Sequence, residues 1–293
     1  MFDHIDNSDA AAFDTLQRRL NAYNRTRLNP GTPSADWRND IVNQAEIALD
    51  EGEFLERQRH EIADAAAAAP RDPAGFVAWF EALETSGPGQ HDPLFPWLAT
   101  EATLDQMKWF LTQEVAGEAG FEDLTAVAQL RLPTRPKLEM ARNYWDEMGR
   151  GNRKGMHGPL LESLSHKLCL APDAETIAPE SLALANTMAG LALNRRYAYH
   201  AIGALGAIEL TAPARAGLVN IGLKRLGLPA RDRHYFSLHA VLDVRHSQAW
   251  NSEVLYPLVE SDPSIAVSLA EGALMRLTCG AACFARYRAE LWG

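Results

Sequence analysis

The chain has 293 residues, of which 47% are hydrophobic and 23% are charged, and its formal net charge is −10. This composition is typical of a globular protein, and the acidic balance argues against nucleic acid or an anionic membrane surface as the main partner. We expect no membrane partner and a cytoplasmic location, because no apolar stretch reaches the roughly 20 residues that span a bilayer and the N-terminus is acidic where a signal peptide is basic. The three cysteines fit this location, and buried, inert roles are expected for them.

Helical periodicity runs through almost the whole sequence. In chain order it predicts helices at residues 8–25, 36–69, 76–83, 103–129, 137–148, 157–170, 181–209, 214–226, 232–260 and 263–292. Pro213 is expected to kink or restart the chain between residues 209 and 214. No run of β-branched residues predicts a strand. The sequence therefore predicts one all-α domain over residues 1–293, in which residues 1–94 form a helical extension packed on a core of residues 95–293.

Three polar side chains, His239, Asp243 and His246, occur at offsets of 0, 4 and 7, which places them on one face of a helix. The residues between them are mostly apolar or small, so this face is expected to point into the protein. Two imidazoles and a carboxylate are costly to bury unless something binds them, and a divalent transition metal is the simplest partner. Taken alone, the motif more often marks a hydrogen-bonded cluster without metal.

Two further acids and one histidine extend this motif. Glu147 precedes a glycine-rich corner at residues 149–152, and His157 follows the corner at the start of the next predicted helix. A glutamate before a tight bend and a histidine after it can point at the same spot. Glu209 lies at the end of a long, nearly uncharged run, where a lone acid is expected to be paired, protonated or metal-bound. For Glu209 alone, capping or a salt bridge to Arg215 explains the pattern equally well.

The remaining acids lie on the predicted helix 103–129, which folds back onto the Glu147 helix near Pro133. This hairpin would bring Glu118 roughly level with Glu147 and put Glu114 one turn further along. Two ferrous ions carry four positive charges, which four carboxylates would balance: Glu118 (or Glu114), Glu147, Glu209 and Asp243. The three histidines complete a dinuclear site. Mixed carboxylate and imidazole ligation suits iron, with manganese as a substitute, better than zinc.

The order of these motifs over residues 95–290 resembles the haem-oxygenase-like diiron oxidase and oxygenase family, whose members are also labelled iron-containing redox enzymes. The resemblance implies a haem-oxygenase-like seven-helix bundle with extra N-terminal helices, two Fe2+ ions and O2 as co-substrate. The ligands that carry over at matching positions are Glu147, His157, Glu209, His239, Asp243 and His246. Some members would place the first glutamate at Phe121, which cannot bind metal, so we favour Glu118, with Glu114 as the alternative.

The expected function is that of a non-haem diiron oxidase or oxygenase, in which two ferrous ions react with O2 through a peroxo intermediate. By the resemblance, its substrate is a small organic molecule such as an amino acid, an amine or a fatty acid. The outcome would be N-oxygenation, oxidative C–C cleavage or desaturation, and the sequence does not choose among them. An external electron donor and a homodimer are both compatible with the chain.

Two other functions are compatible with the same bundle. One is a metal-free hydrolase that resembles the thiaminase-II-like relatives, although no cysteine lies beside the cluster in sequence. The other is a non-catalytic helical binding protein. Arg195 and Arg196 lie in a polar cluster on an otherwise apolar helix. They would either bind a carboxylate substrate through a guanidinium fork or form surface salt bridges.

Overall fold

The computed structural model describes residues 7–117, 120–173 and 175–293. These residues are almost entirely helical. Within those ranges there is no β-strand, only one antiparallel bridge between Met148 and Met156. The all-α prediction is therefore confirmed.

The helices begin and end close to the predicted positions in most cases. In chain order they are α1 (Asn7–Leu28), α2 (Trp37–Ala67), α3 (Pro73–Ser86), α4 (Leu94–Thr100), α5 (Leu104–Gly117), α6 (Phe121–Ala128), α7 (Thr134–Glu147), α8 (His157–Leu168), α9 (Pro179–Leu193), α10 (Ala198–Arg225), α11 (His234–Trp250), α12 (Tyr256–Ser261) and α13 (Ala266–Trp292). A π-helical turn at Asn251–Leu255 joins α11 to α12.

Two of the long predicted helices are each divided in two. The predicted helix 103–129 consists of α5 and α6, because Gly120 before α6 has a φ of 70°. This left-handed conformation interrupts a right-handed helix, and glycine adopts it without steric cost. The predicted helix 181–209 is interrupted at Asn194, whose backbone is extended with φ −104° and ψ 107°. A 3-10 turn at Arg195–Tyr197 then leads into α10.

The predicted restart of the helix at Pro213 is wrong, because α10 continues through it. The alternative, a kink at Pro213, stays a prediction. Proline cannot donate the helical hydrogen bond to the carbonyl of Glu209, four residues earlier, and it costs about 3 kcal/mol in a helix interior. Tertiary packing offsets this cost. Helix α10 contacts α4, α9, α11 and α13, and every residue from 200 to 207 is buried.

The N-terminal helices cover one side of the bundle. Helix α1 packs against α9, and α2 packs against α9 and α13. Buried side chains of these helices, among them Leu20, Phe54 and Leu55, belong to the same hydrophobic cluster as the buried residues of α9, α10 and α13. The division of the chain into an extension and a core at residue 94 stays a prediction.

Helices α10 and α13 cross with their backbones in direct contact. A Cβ atom added to Gly203 would lie 1.9 Å from the carbonyl oxygen of Leu269, and one added to Gly272 would lie 1.9 Å from the carbonyl oxygen of His200. An ordinary Cβ contact begins at 3.4 Å. Only glycine at both positions allows the two helices to approach this closely.

Two segments are long and apolar enough to cross a membrane by length and composition, contrary to the expectation from the sequence. They span Arg195–Arg225 and Pro263–Trp292, and thus contain α10 and α13. In each segment 61% of the most apolar window is buried inside the protein. Their apolar character is therefore explained by their position in the core of the bundle.

Candidate metal centre

The glycine corner brings Glu147 and His157 together. Glu147 is the last residue of α7 and His157 is the first residue of α8, and both are buried. Between them the chain doubles back so tightly that a Cβ on Gly149, whose φ is 61°, would lie 2.5 Å from the carbonyl carbon of Gly155. As a result, Nδ1 of His157 lies 2.5 Å from Oε2 of Glu147.

Helix α11 presents its predicted polar face to this pair. Nε2 of His239 lies 3.0 Å from Nδ1 of His157. Nδ1 of His239 lies 2.8 Å from the backbone carbonyl of Tyr235. Because a carbonyl can only accept, this contact requires the proton on Nδ1, which leaves the lone pair of a neutral ring on Nε2, pointed towards the cluster.

The second part of the cluster lies around His246. Its Nδ1 atom is 3.4 Å from Oε2 of Glu209, 3.9 Å from Oε1 of Glu147 and 4.0 Å from Oδ1 of Asp243. All four of these residues are buried. On its other side, Nε2 of His246 lies 3.2 Å from Oδ2 of Asp146, which fixes the orientation of the ring.

Glu147 belongs to two groups of side chains whose ligand atoms lie within 4.8 Å of one another. The first group is Glu147, His157 and His239, and the second is Glu147, Glu209 and His246. Oε2 of Glu147 faces the first group and Oε1 faces the second. Glu147 is therefore the residue that the two groups have in common.

Burial and neighbouring charges set the protonation of the histidines. Burial, together with the neighbouring His246, lowers the pKa of His157 to about 4. Burial, together with the neighbouring His157, lowers the pKa of His239 to about 4. Both rings are therefore neutral at neutral pH, which is the state that binds metal. Burial acts against the charged form of His246, but Glu209 and Asp146 raise its pKa to about 9.

A buried amide positions Glu209. Nδ2 of Asn143, on α7, donates to Oε1 of Glu209 at 2.5 Å. The other oxygen, Oε2, faces His246. Arg215 forms no salt bridge with Glu209, so the alternative explanation of Glu209 as a partner of Arg215 does not apply.

The first predicted carboxylate ligand is not located by the structure. Glu118, the favoured residue, lies outside the described residues. Glu114, the alternative, belongs to neither ligand group. It interacts instead with Arg276, Arg215 and Tyr287, and burial raises its pKa.

The sequence reasoning missed Glu122, in the first turn of α6. Glu122 lines the same cavity as the cluster, and its charge acts on His157. Its carboxylate lies against Gly158, in the first turn of α8. A Cβ atom added to Gly158 would be only 2.8 Å from Oε1 of Glu122. A signal was present: Glu122 directly follows Phe121, the position to which the spacing of similar enzymes points.

A cavity of about 410 Å3 lies next to the cluster. Its volume is in the lower part of the range of small-molecule sites. Its polar wall includes Glu147, His157, Glu209, His239 and Asp243. Apolar side chains of α4, α5, α9, α10 and α13 also line the cavity, among them Phe95, Phe110, Leu184, Met188, Val219 and Phe284.

Neither Arg195 nor the cysteines take part in the cluster. Arg195 does not form a substrate fork, because its guanidinium binds backbone carbonyls at the end of α6, with the shortest contact at 2.6 Å to Leu130. The expected burial is wrong for Cys169, which is exposed. Burial raises the pKa of the thiols of Cys279 and Cys283. A raised pKa disfavours the thiolate that a cysteine nucleophile requires.

Comparisons with known proteins concern the fold and the family of the chain. Two crystal structures of a CADD-like protein of unknown function from Nostoc punctiforme are similar to this chain. The first has a TM-score of 0.54 and 17% sequence identity, and it covers 84% of this chain and 100% of its own. The second has a TM-score of 0.51 and 18% identity, and it covers 83% of this chain and 96% of its own. At such identities the likeness shows the fold alone.

No curated protein matches the chain significantly. The family model described as "Iron-containing redox enzyme" matches residues 108–281, which is more than half of the chain. The predictions of the family and of the haem-oxygenase-like fold are confirmed by this match and by the similar structures. This chain therefore belongs to the iron-containing redox enzyme family of the haem-oxygenase-like superfamily.

Proposed function

We propose that the protein is a non-haem diiron enzyme that uses O2 to oxidise a small organic substrate. The observation that carries this proposal is the position of Glu147, whose two oxygens face two separate groups of carboxylate and imidazole donors. A site for a single ion would need only one such group. A donor set of carboxylates and imidazoles is typical of iron and manganese sites.

The proposed ligands fall into two sets. Glu147, His157 and His239 would hold one iron ion, and Glu147, Glu209 and His246 would hold the other. Asp243 lines the cavity and lies beside His246, so we propose it as a further ligand. Glu118 stays a proposed ligand, and Glu122 is a second candidate for the same role.

Bound ferrous ions would supply the electrons for the two-electron reduction of O2. The protein holds their ligands in place through contacts outside the cluster. The carbonyl of Tyr235 fixes the ring of His239, and Asn143 fixes the carboxylate of Glu209. Such outer contacts set the orientation and the affinity of metal ligands. The apolar side of the cavity excludes water from the bound substrate.

The proposal is tested by loading the metal-free protein with Fe2+ under anaerobic conditions and measuring iron per chain. We expect about two iron ions per chain, since the cluster offers two ligand groups. The variant Glu147→Gln should lose both ions, because it removes the carboxylate common to the two groups. His239→Ala should lose mainly one. Mixing the loaded protein with O2 should then consume O2, faster in the presence of a substrate.

The matched control is Glu139→Gln. Glu139 lies on the same helix as Glu147, is also buried, and pairs with Arg142 outside both ligand groups. This variant should keep about two iron ions per chain. A wild-type protein that binds at most one ion, or a Glu147→Gln variant that binds as much iron as the control, would contradict the proposal.

A further inference from the structure

A second polar group lines the cavity away from the proposed ligands. It consists of Arg215 on α10, Arg276 on α13 and Glu114 on α5. All three side chains are half-buried and line the cavity, and the Nε atom of Arg276 is itself buried. Three helices thus direct charged groups at the same internal space.

The two guanidinium groups have few partners. Arg215 donates one hydrogen bond, to Oγ1 of Thr211 at 2.9 Å, and lies 5.8 Å from the ring centre of Phe95 and 5.4 Å from that of Phe284. Among the residues that the structure describes, Arg276 has no hydrogen-bond partner, and its buried Nε is unsatisfied. A guanidinium offers five N–H donors, so most of the donors of this pair have no partner among the residues that the structure describes.

Neither arginine forms a salt bridge within the described ranges, in which no carboxylate oxygen lies within 4.0 Å of either group. Glu114 interacts with both through space. Together the three groups carry a formal charge of +1, and the acids of the proposed metal centre line another part of the same cavity. Burial, together with the charge of Arg276, lowers the pKa of Arg215 to about 9. A buried guanidinium donor that has no hydrogen-bond partner, such as Nε of Arg276, is expensive unless a partner arrives.

We propose that Arg215 and Arg276 bind the carboxylate of the substrate, and that the substrate is a carboxylic acid with an apolar body. This inference rests on the proposed function, since it treats the cavity beside the metal centre as the substrate site. A carboxylate matches the planar fork of a guanidinium and would give the unused donors of the two arginines a partner.

The rest of the cavity fits the same substrate. Phe110, Leu184, Met188 and Val219 provide apolar wall, and the proposed ligands occupy another part of the lining. The apolar body would lie against these side chains, and the arginines would fix one end of the molecule. An amine would be repelled by the two arginines at this position, so the geometry favours an acid over a simple amine.

The test measures binding of hexanoate, decanoate and tetradecanoate to the full-length protein by calorimetry, in its metal-free and its Fe2+-loaded forms. Decanamide and decanol serve as uncharged matches for decanoate. We expect at least one of the acids to bind. The acid of best-fitting length, such as decanoate, should bind at least about tenfold more tightly than the matched amide, because the uncharged amide cannot form the hydrogen-bonded charge pair with the arginines. Arg215→Met and Arg276→Met should each weaken acid binding by about tenfold or more, without a similar effect on the amide.

The control variant is Arg286→Met. Arg286 is on the same helix as Arg276 but pairs with Glu290 and Glu180 and does not line the cavity. It should bind the acids as the wild-type protein does. The preference for acid over amide is measured on the wild-type protein, so the test stands even where a variant does not fold.

The inference is overturned if no acid binds, if the amide binds as well as the acid, or if both arginine variants keep wild-type affinity. Failure of the proposed function gives a different result. In that case acid binding to the metal-free protein would still depend on Arg215 and Arg276, but the protein would not take up two iron ions.

Discussion

Replacing Gly203 by alanine tests the close crossing of α10 and α13, the two helices that carry Arg215 and Arg276. The added Cβ would lie 1.9 Å from the carbonyl oxygen of Leu269. An ordinary van der Waals contact of a Cβ atom begins at 3.4 Å, so the two helices would have to separate by about 1.5 Å. The obstacle is backbone, which cannot rotate away as a flexible side chain could.

The expected cost follows from two opposing effects. Overpacking a well-packed core typically costs about 1–3 kcal/mol of stability. Because the obstacle is rigid backbone, we expect the overpacking cost of Gly203→Ala to be about 3 kcal/mol. Alanine is a better helix former than glycine by about 1 kcal/mol. We therefore expect Gly203→Ala to lower the free energy of unfolding by about 2 kcal/mol. Gly272→Ala, which meets the carbonyl of His200 at 1.9 Å, should behave in the same way.

The measurement is equilibrium unfolding of the metal-free protein in urea, with Gly52→Ala as the control. Gly52 lies inside α2, and an added Cβ there meets nothing within 4 Å. The control should gain about 0.5–1 kcal/mol from helix propensity alone. If Gly203→Ala is stabilised as much as the control, the two backbones do not touch and the description of this crossing is incorrect.

The remaining predictions concern Glu271 and Asp146. Burial opposes the charged form of Glu271, but hydrogen bonds from His200 and Arg59 outweigh it and lower its pKa below 4.5. A lowered acid pKa stabilises the fold above the unfolded value and stops doing so as the pH falls through the folded value. Glu271→Gln should therefore lower stability by about 1–3 kcal/mol at pH 7, and by progressively less below pH 4.5, as followed by urea unfolding; a constant difference at all pH values would argue against it. Asp146→Asn should weaken iron binding by about 10- to 100-fold, because it loosens the ring of His246. An anaerobic Fe2+ titration measures this effect, and unchanged affinity would mean that Asp146 does not orient a ligand.

The helical periodicity of the sequence was sufficient to predict the all-α class and most helix positions. It was not sufficient to locate breaks that depend on one backbone angle. Gly120 adopts a left-handed φ, whereas other helical glycines such as Gly203 do not, and the residue type is the same in both cases. Pro213 shows the opposite error. Its local preference is to end a helix, and tertiary packing around α10 overrides that preference.

The candidate site was predictable where ligands share a helix face or flank a tight corner. Offsets within α11 placed His239 and His246 on one face, and the corner paired Glu147 with His157. The first carboxylate ligand was harder to predict from the sequence, because its position depends on where α5 ends and α6 begins. Glu122 is four residues after Glu118, so a search forward along the helix would have found it. The arginines of the cavity could not be recognised, because Arg215 and Arg276 meet only in the folded protein.

The corner between α7 and α8 also has a consequence for the order in which the chain assembles. The bridge between Met148 and Met156 closes a loop of a few residues, and the entropy lost on closing so short a loop is much smaller than for contacts between distant parts of the chain. Glu147 and His157 can therefore meet early and stay together when the surrounding helices move. Two of the six described residues proposed as ligands are thus brought together by a local corner, whereas Glu209 and the α11 residues reach them through contacts between distant parts of the chain.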